Sequence, residues 1–311
     1  MKGPRRLKIE ALRSDLLSVI KMIERADRHH DAIGAYQFSQ RREAIEAQLE
    51  ELGRAGDHIG KVALFFGGGP VLGSRGVEAD FAGEALNAFQ GLIQKKFAIE
   101  DQGEIGARGP VARQVASQLL VTDVARGSFG FFLEEAAVDE AFADTALKVV
   151  IDQTNNLIAN VADPSSEVFE TAIGGVDSRV LLSLKSFFSI LDTGHATVRL
   201  VDDDHEFLLD RVDISRARQR VEATEIQEDE TTDVVGTLFF LPQHRTFELL
   251  REDTGETVFG RVEPSVIRQL IAAQAAGEPA RRWRAILKIR RVQQRGQDEK
   301  TYYRLSGIIE P

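Results

Sequence analysis

The chain has 311 residues, of which 43% are hydrophobic and 28% charged, and it contains no cysteine. This length predicts about two domains, and a chain without cysteine has no disulfides, cysteine nucleophiles or thiolate metal sites. With 49 acidic against 39 basic residues, the net charge is −10, which excludes a surface that is basic throughout and could bind nucleic acid everywhere.

The first twenty residues lack the unbroken apolar run of a signal peptide, because Glu10, Arg13 and Asp15 interrupt it. A run of about 18 apolar residues, as a membrane span needs, does not occur either. We therefore expect a cytoplasmic protein with no membrane association. A composition rich in arginine, alanine and glycine is typical of a bacterial protein.

Residues 1–58 are predicted to form a helical hairpin. Its first helix carries Ile9, Leu12 and Leu16 at three- and four-residue steps, which places them on one face. Two helices that are each about 33 Å long must bury their apolar stripes against the rest of the chain or against another copy. The sequence leaves both partners possible, so self-association through residues 5–56 is one expected interaction.

Residues 59–228 are predicted to form a central α+β domain, in which a β-hairpin is followed by a helix three times. The predicted hairpins pair residues 62–66 with 71–72, 118–122 with 129–133, and 196–201 with 206–209. Short loops between alternating strands and helices indicate an antiparallel sheet with helices on one face. The acidic stretch 222–233 is predicted to be an exposed linker.

Residues 229–311 are predicted to form a small β-barrel. Their pattern is three strands, a helix from Pro264 to Ala276, and two further strands. This order resembles the OB-fold, a five-stranded barrel, and the resemblance covers this module alone.

A glycine-rich stretch, residues 67–76, lies between a predicted strand and a predicted helix, where phosphate-binding loops occur. The spacing from Gly68 to Gly73 matches a Walker A loop, but Ser74 and Arg75 stand where that motif needs lysine and serine or threonine. A turn that requires positive φ explains the glycines without a ligand. The alternative is a shared anion site built from two loops, with Gly68, Gly73, Ser74, Arg75, Arg126 and Ser128.

No metal, cofactor or catalytic residue is expected. The stretch from Asp202 to Glu206 is rich in oxygen ligands but lacks the spacing of a calcium loop, so it is predicted to be a solvated hairpin turn. The six histidines show none of the spacings typical of zinc sites.

The basic run between Glu278 and Asp298 contains no acidic residue. Strand alternation places Trp283, Ala285, Leu287 and Ile289 on the inner face, together with Tyr303, Leu305 and Ile309 of the partner strand. The predicted outer face carries Arg282, Arg284, Lys288, Arg290, Tyr302 and Arg304. Cations beside an aromatic ring suit single-stranded nucleic acid. The alternative is that these side chains bind no ligand. They would then either be solvated or contact the protein's own acidic stretch at 222–233.

The sequence therefore predicts a non-enzymatic binding protein whose barrel contacts single-stranded nucleic acid or an acidic protein. Two alternatives remain open. One is a nucleotide- or phosphate-binding enzyme or sensor that uses the glycine-rich loops, and the other is a scaffold subunit of a multi-protein complex.

Overall fold

The computed structural model describes residues 3–54, 58–102, 115–125, 129–136, 143–275, 280–294 and 298–310. Within these ranges the chain forms eight α-helices and two β-sheets, one of which closes into a barrel. The predicted α+β class, with N-terminal helices, a central antiparallel sheet and a C-terminal barrel, is confirmed. None of the described helices combines the length and the apolar composition that crossing a bilayer requires.

The elements follow the chain in this order. The helices are α1 (Arg5–Arg28), α2 (Ala32–Arg54), α3 (Ala79–Gln102), α4 (Ala146–Ala162), α5 (Ser166–Gly174), α6 (Ser178–Thr193), α7 (Arg211–Glu222) and α8 (Pro264–Ala275), with a short 3-10 turn at Val115–Ser117. The strands are β1 (Lys61–Gly68), β2 (Leu119–Ala125), β3 (Phe129–Glu135), β4 (Ala196–Val201), β5 (Glu206–Leu209), β6 (Thr224–Leu241), β7 (Thr246–Arg251), β8 (Thr257–Val262), β9 (Ala280–Gln294) and β10 (Lys300–Ile309).

The chain divides into two compact units. The first comprises Met1–Ala82, Val115–Asn156 and Gly194–Asp210, and the second comprises Gly83–Gln114, Leu157–Thr193 and Arg211–Pro311. The open sheet with α1 and α2 belongs to the first unit, whereas α5 to α8 and the barrel belong to the second. The domain bounds at residues 58 and 228 stay predictions.

The open sheet of the first unit has the antiparallel strand order β2-β3-β1-β4-β5. On one face, Leu7 of α1 packs against Phe65 and Phe132. On the other, the ring of Phe66 meets that of Phe81 edge-on at 5.3 Å. Both edges of β1 are occupied by β3 and β4, so the predicted first hairpin is wrong and Val71 forms only an isolated bridge.

The other two predicted hairpins, β2–β3 and β4–β5, are confirmed. In the β4–β5 turn, Asp204 and His205 are exposed but Asp202 and Asp203 are buried, which corrects the prediction that this acidic stretch is solvated throughout. Asp202 is fully buried, and its Oδ1 accepts hydrogen bonds from the backbone N–H groups of Asp204 and His205. Asp203 is 7% exposed and accepts the backbone N–H of Arg5 at 2.6 Å, which satisfies one donor at the start of α1. These two carboxylates therefore stabilise the fold through hydrogen bonds to backbone N–H groups.

The predicted helical hairpin is confirmed as α1 and α2. Val19, Ala26 and Ile45 are buried in this hairpin. Five large apolar side chains of the hairpin are exposed, namely Leu17, Ile20, Met22, Ile33 and Tyr36. Self-association through residues 5–56 stays a prediction.

The barrel of the second unit closes in the order β10-β8-β7-β6-β9. Strands β8 and β10 pair in parallel, the other described pairs are antiparallel, and α8 connects the third strand to the fourth. This topology is that of the OB-fold that the strand order predicted. The barrel core contains Leu238, Phe247, Leu249, Trp283, Leu287 and Leu305, with Val266 and Leu270 of α8.

The predicted acidic linker at 222–233 is wrong, because most of it is the first half of β6. This strand begins at Thr224 and pairs along its length with the basic strand β9. A carboxylate oxygen of Glu230 accepts a hydrogen bond from Arg291 at 2.5 Å. Opposite charges on facing strands stabilise a sheet, so the acidic and basic stretches, far apart in sequence, pair with each other.

Candidate nucleic-acid interface

A cavity of about 750 Å³ lies within the second unit, between the outer face of strands β8–β10 and helix α5 with the loop that follows it. We call it the barrel cleft. Its aromatic lining residues are Phe259, Tyr302 and Tyr303, and its basic ones are Arg261, Lys288, Arg290, Lys300 and Arg304. Four carboxylates, those of Glu167, Glu170, Asp177 and Glu230, also line it, as do Gly174 and Gly175. Cavities of this size in proteins commonly hold ligands.

A row of three cations crosses adjacent strands on the floor of the cleft. Arg304 of β10 is in register with Lys288 of β9 on one side and with Arg261 of β8 on the other. Leu287, Leu305 and Val262 fill the barrel core, so the alternate residues, including these cations, face outward. Neighbouring strands lie about 4.8 Å apart, and like charges on facing strands destabilise a sheet. An anion bound to this row would offset the repulsion between its like charges.

A second row, with two aromatic side chains, lies beside the first. Tyr302 is in register with Arg290 of β9, and Phe259 precedes Arg261 by two residues on β8. Two residues along a strand correspond to roughly 7 Å. Phe259 is 61% exposed, an unusual position for a side chain of this size. The cleft thus offers cations and exposed aromatic surface side by side.

Two residues of the predicted basic face lie elsewhere. Arg282 is bound by both carboxylate oxygens of Glu252, at 2.5 and 2.8 Å, and Arg284 is in register with Ile309 near the end of β10. Arg282 and Arg290 are eight residues apart, roughly 27 Å along an extended strand. One cleft cannot use the whole predicted face, and the structure brings together only Lys288, Arg290, Tyr302 and Arg304.

Part of the cleft lining holds the barrel against α5. A Cβ on Gly174 would lie 2.3 Å from the ring of Tyr302, which packs directly on this glycine. Lys300 pairs with Glu170, and Arg290 donates a hydrogen bond to the carbonyl of Val176 at 2.8 Å. These contacts give Arg290 and Tyr302 a structural role besides any role in binding.

Lys288 is partly neutralised by the protein itself. Its Nζ lies 3.2 Å from a carboxylate oxygen of Glu263, which is 7% exposed. The side chain of Arg261, in contrast, is exposed and forms no hydrogen bond or ion pair with the part of the chain that the structure describes. The sequence did not single out Arg261, because only the parallel pairing of β8 with β10 places it beside Arg304.

The predicted inner face is correct except near the strand ends. Leu287 and Leu305 are fully buried, and Trp283 is 8% exposed. Ile309 is 49% exposed although an inward position was predicted. The register shifts between Leu305 and Gly307, and a bulge of this kind reverses the alternation beyond it. Ile308 packs against the core instead.

The glycine-rich loop lines a separate cavity of about 720 Å³ in the first unit. Ser74 and Arg75 face it together with Asp123 and Phe129 of the β2–β3 hairpin. Gly68 and Gly73 have φ of +83° and +55°, so a turn explains these glycines, as expected. Arg126 and Ser128 lie outside the described residues, and the anion site stays a prediction.

A metal site finds no support among the residues that the structure describes, where no three histidine, aspartate or glutamate side chains are arranged to hold an ion. The barrel cleft is the candidate site because it combines a cation row with exposed aromatic surface. No protein-family model, no curated protein and no solved structure matches this chain.

Proposed function

We propose that the chain is a non-enzymatic binding protein of the bacterial cytoplasm that holds single-stranded nucleic acid in the barrel cleft. The observation that carries this proposal is the cation row Lys288–Arg304–Arg261 beside the exposed ring of Phe259. Phosphate contacts need positive charge, and bases need a flat apolar surface for stacking. The cytoplasmic and bacterial setting is part of the proposal and rests on composition alone.

The guanidinium groups and the aromatic ring of the cleft would bind different parts of the nucleic acid. Arg261 and Arg304 present guanidinium groups, which bind phosphate oxygens through two parallel hydrogen bonds. Phe259 offers a ring face on which a base stacks. Gly174 and Gly175 of the opposite wall have no side chains, which leaves room for the ring of Tyr302 and for the guanidinium of Arg261.

The four carboxylates of the cleft restrict what can enter. Glu170 lies at the α5 wall with Lys300, and Asp177 follows this wall near the start of α6. A duplex carries phosphates on both strands and would bring some of them against these carboxylates. We therefore expect a short single-stranded segment, with its phosphates on the barrel side, and weak or no binding of duplexes.

An acidic protein surface is the other partner that the sequence left open. Carboxylate side chains could bind the cation row equally well, but they would make no use of the exposed ring of Phe259. Stacking on aromatic rings contributes about 1–3 kcal/mol per base, and this favours nucleic acid.

The proposal is tested by fluorescence anisotropy with a labelled oligothymidine, titrated at several salt concentrations. We expect affinity to fall steeply with salt, because phosphate contacts release counterions. Phe259→Ala should weaken binding about tenfold, whereas Phe239→Ala should change it less than twofold, since Phe239 is 42% exposed but lies outside the cleft. The absence of binding at low salt, or equal effects of the two variants, would refute the proposal.

A further inference from the structure

Helix α3 carries a lysine that extends the cation row beyond the barrel. Lys96 and Glu100 lie four residues apart on α3, on the same face of the helix. Glu100 pairs with Arg245 at 3.2 Å, and the carbonyl of Arg245 accepts the N–H of Val262 at 2.9 Å. Val262 directly follows Arg261, so these contacts bring this face of α3 to Arg261 within the second unit.

The charges at this junction are unbalanced. Lys96, Arg245 and Arg261 contribute three positive charges, and Glu100 contributes one negative charge. Burial lowers the pKa of Lys96, the carboxylate of Glu100 raises it, and the charge of Arg261 lowers it further. The native protein therefore holds a partly buried ammonium beside a guanidinium, an arrangement that costs stability in the absence of an anion.

We infer that Lys96 and Arg261 together form a phosphate-binding subsite at the β8 end of the cation row. The inference rests on the proposed function for its full ligand, since this phosphate would be one of the phosphates of the strand in the cleft. Arg261 also lies close to Gly175, where a Cβ would be 3.2 Å from its guanidinium carbon. The loop backbone thus limits where the guanidinium can point.

This role predicts opposite effects of one substitution on binding and on stability. Lys96→Gln removes the charge that binds phosphate but also removes a buried like-charge contact. The free protein should melt at the same temperature or higher, while its affinity for oligothymidine falls about tenfold. A lysine with a purely structural role would show the reverse, with a lower melting temperature and unchanged affinity.

The experiment compares three variants by anisotropy and by thermal unfolding. Arg268→Gln is the control, because it removes one positive charge from an exposed position of α8 outside the cleft. Lys96→Arg keeps the charge and should retain affinity within about threefold. Lys96→Gln should also reduce the slope of log affinity against log salt by about 0.7, the value for one lost phosphate contact to a single strand. Unchanged affinity and slope in Lys96→Gln would overturn the inference.

A second measurement separates this inference from the proposed function. Pyrophosphate, which carries phosphate but no base, is added to the wild-type protein and to Lys96→Gln during thermal unfolding. We expect it to raise the melting temperature of the wild type, because it binds the native state, and to have little effect on the variant. If oligothymidine does not bind but this difference appears, the proposed function is wrong and the phosphate subsite stands. Equal responses to pyrophosphate, or none, would refute the subsite.

Discussion

Asp152 of α4 is predicted to destabilise the protein as the pH rises. Burial, together with the negative charge of Asp202 and against the opposing charge of Lys148, raises the pKa of Asp152 from its ordinary value of 3.8 to about 7. Between about pH 4 and pH 7 the native state therefore binds a proton on this carboxyl that the unfolded chain has lost. Stability consequently falls as the pH rises through this range and levels off above about pH 7.

The size of the change in the free energy of unfolding follows from the shift in the pKa of Asp152. A rise from 3.8 to about 7 corresponds to roughly 4 kcal/mol at about 1.4 kcal/mol for each pH unit. Asp152 is only partly buried, so we discount this figure to about 2 kcal/mol for solvent screening. Asp152→Asn mimics the protonated carboxyl and should stabilise the protein by about this amount at pH 8, and by almost nothing at pH 4.

Thermal unfolding of both proteins at several pH values measures this difference. The variant should melt several degrees higher at pH 8, since about 2–4 °C corresponds to each kcal/mol in a domain of 150–250 residues. Asp144→Asn is a control of opposite sign, because hydrogen bonds from His58 and Lys148 lower the pKa of Asp144. It should destabilise the protein at neutral pH, and the difference should vanish as acid protonates Asp144. A pH-independent effect of Asp152→Asn would refute the reasoning.

Three further predictions concern the barrel and its cleft. Gly174→Ala should weaken oligonucleotide binding and lower the melting temperature, because its Cβ would lie 2.3 Å from the ring of Tyr302 and force that ring to move; anisotropy and thermal unfolding measure both effects. Leu287→Ala should destabilise the second unit by about 2–5 kcal/mol in urea unfolding, since Leu287 is fully buried in the barrel core. Arg282→Gln should leave oligonucleotide affinity within twofold, because Arg282 lies outside the cleft and is already paired with Glu252.

Local patterns were enough to predict most of the elements. The hairpin β4–β5 was predicted at residues 196–201 and 206–209, and these are its observed bounds. The three-strand, helix, two-strand order predicted the barrel because short connections leave few ways to close five strands. The stretch 222–233 was misread as a linker, since its charge suggested exposure and its partner β9 lies more than 50 residues away.

The candidate site was only partly predictable. Alternation along β9 and β10 identified Lys288, Arg290 and Arg304 as outward-facing, and this needs only the period of a strand. Arg261 was missed because it is an isolated basic residue in the sequence, and Lys96 was missed because it belongs to a short pair with Lys95 on a helix far from the barrel in sequence. Only the parallel pairing of β8 and β10 and the packing of α3 bring them to the cation row.

The most direct test of the account is photo-crosslinking of the full chain to a single-stranded oligonucleotide that contains iodouracil, followed by peptide mass spectrometry. Iodouracil crosslinks to aromatic side chains that stack on it, so the crosslinked residue reports where the base lies. We predict crosslinks at Phe259 of β8 and at Tyr302 or Tyr303 of β10, and their loss at high salt. Crosslinks confined to aromatic residues outside the cleft, such as Tyr36 or Phe239, would contradict the account.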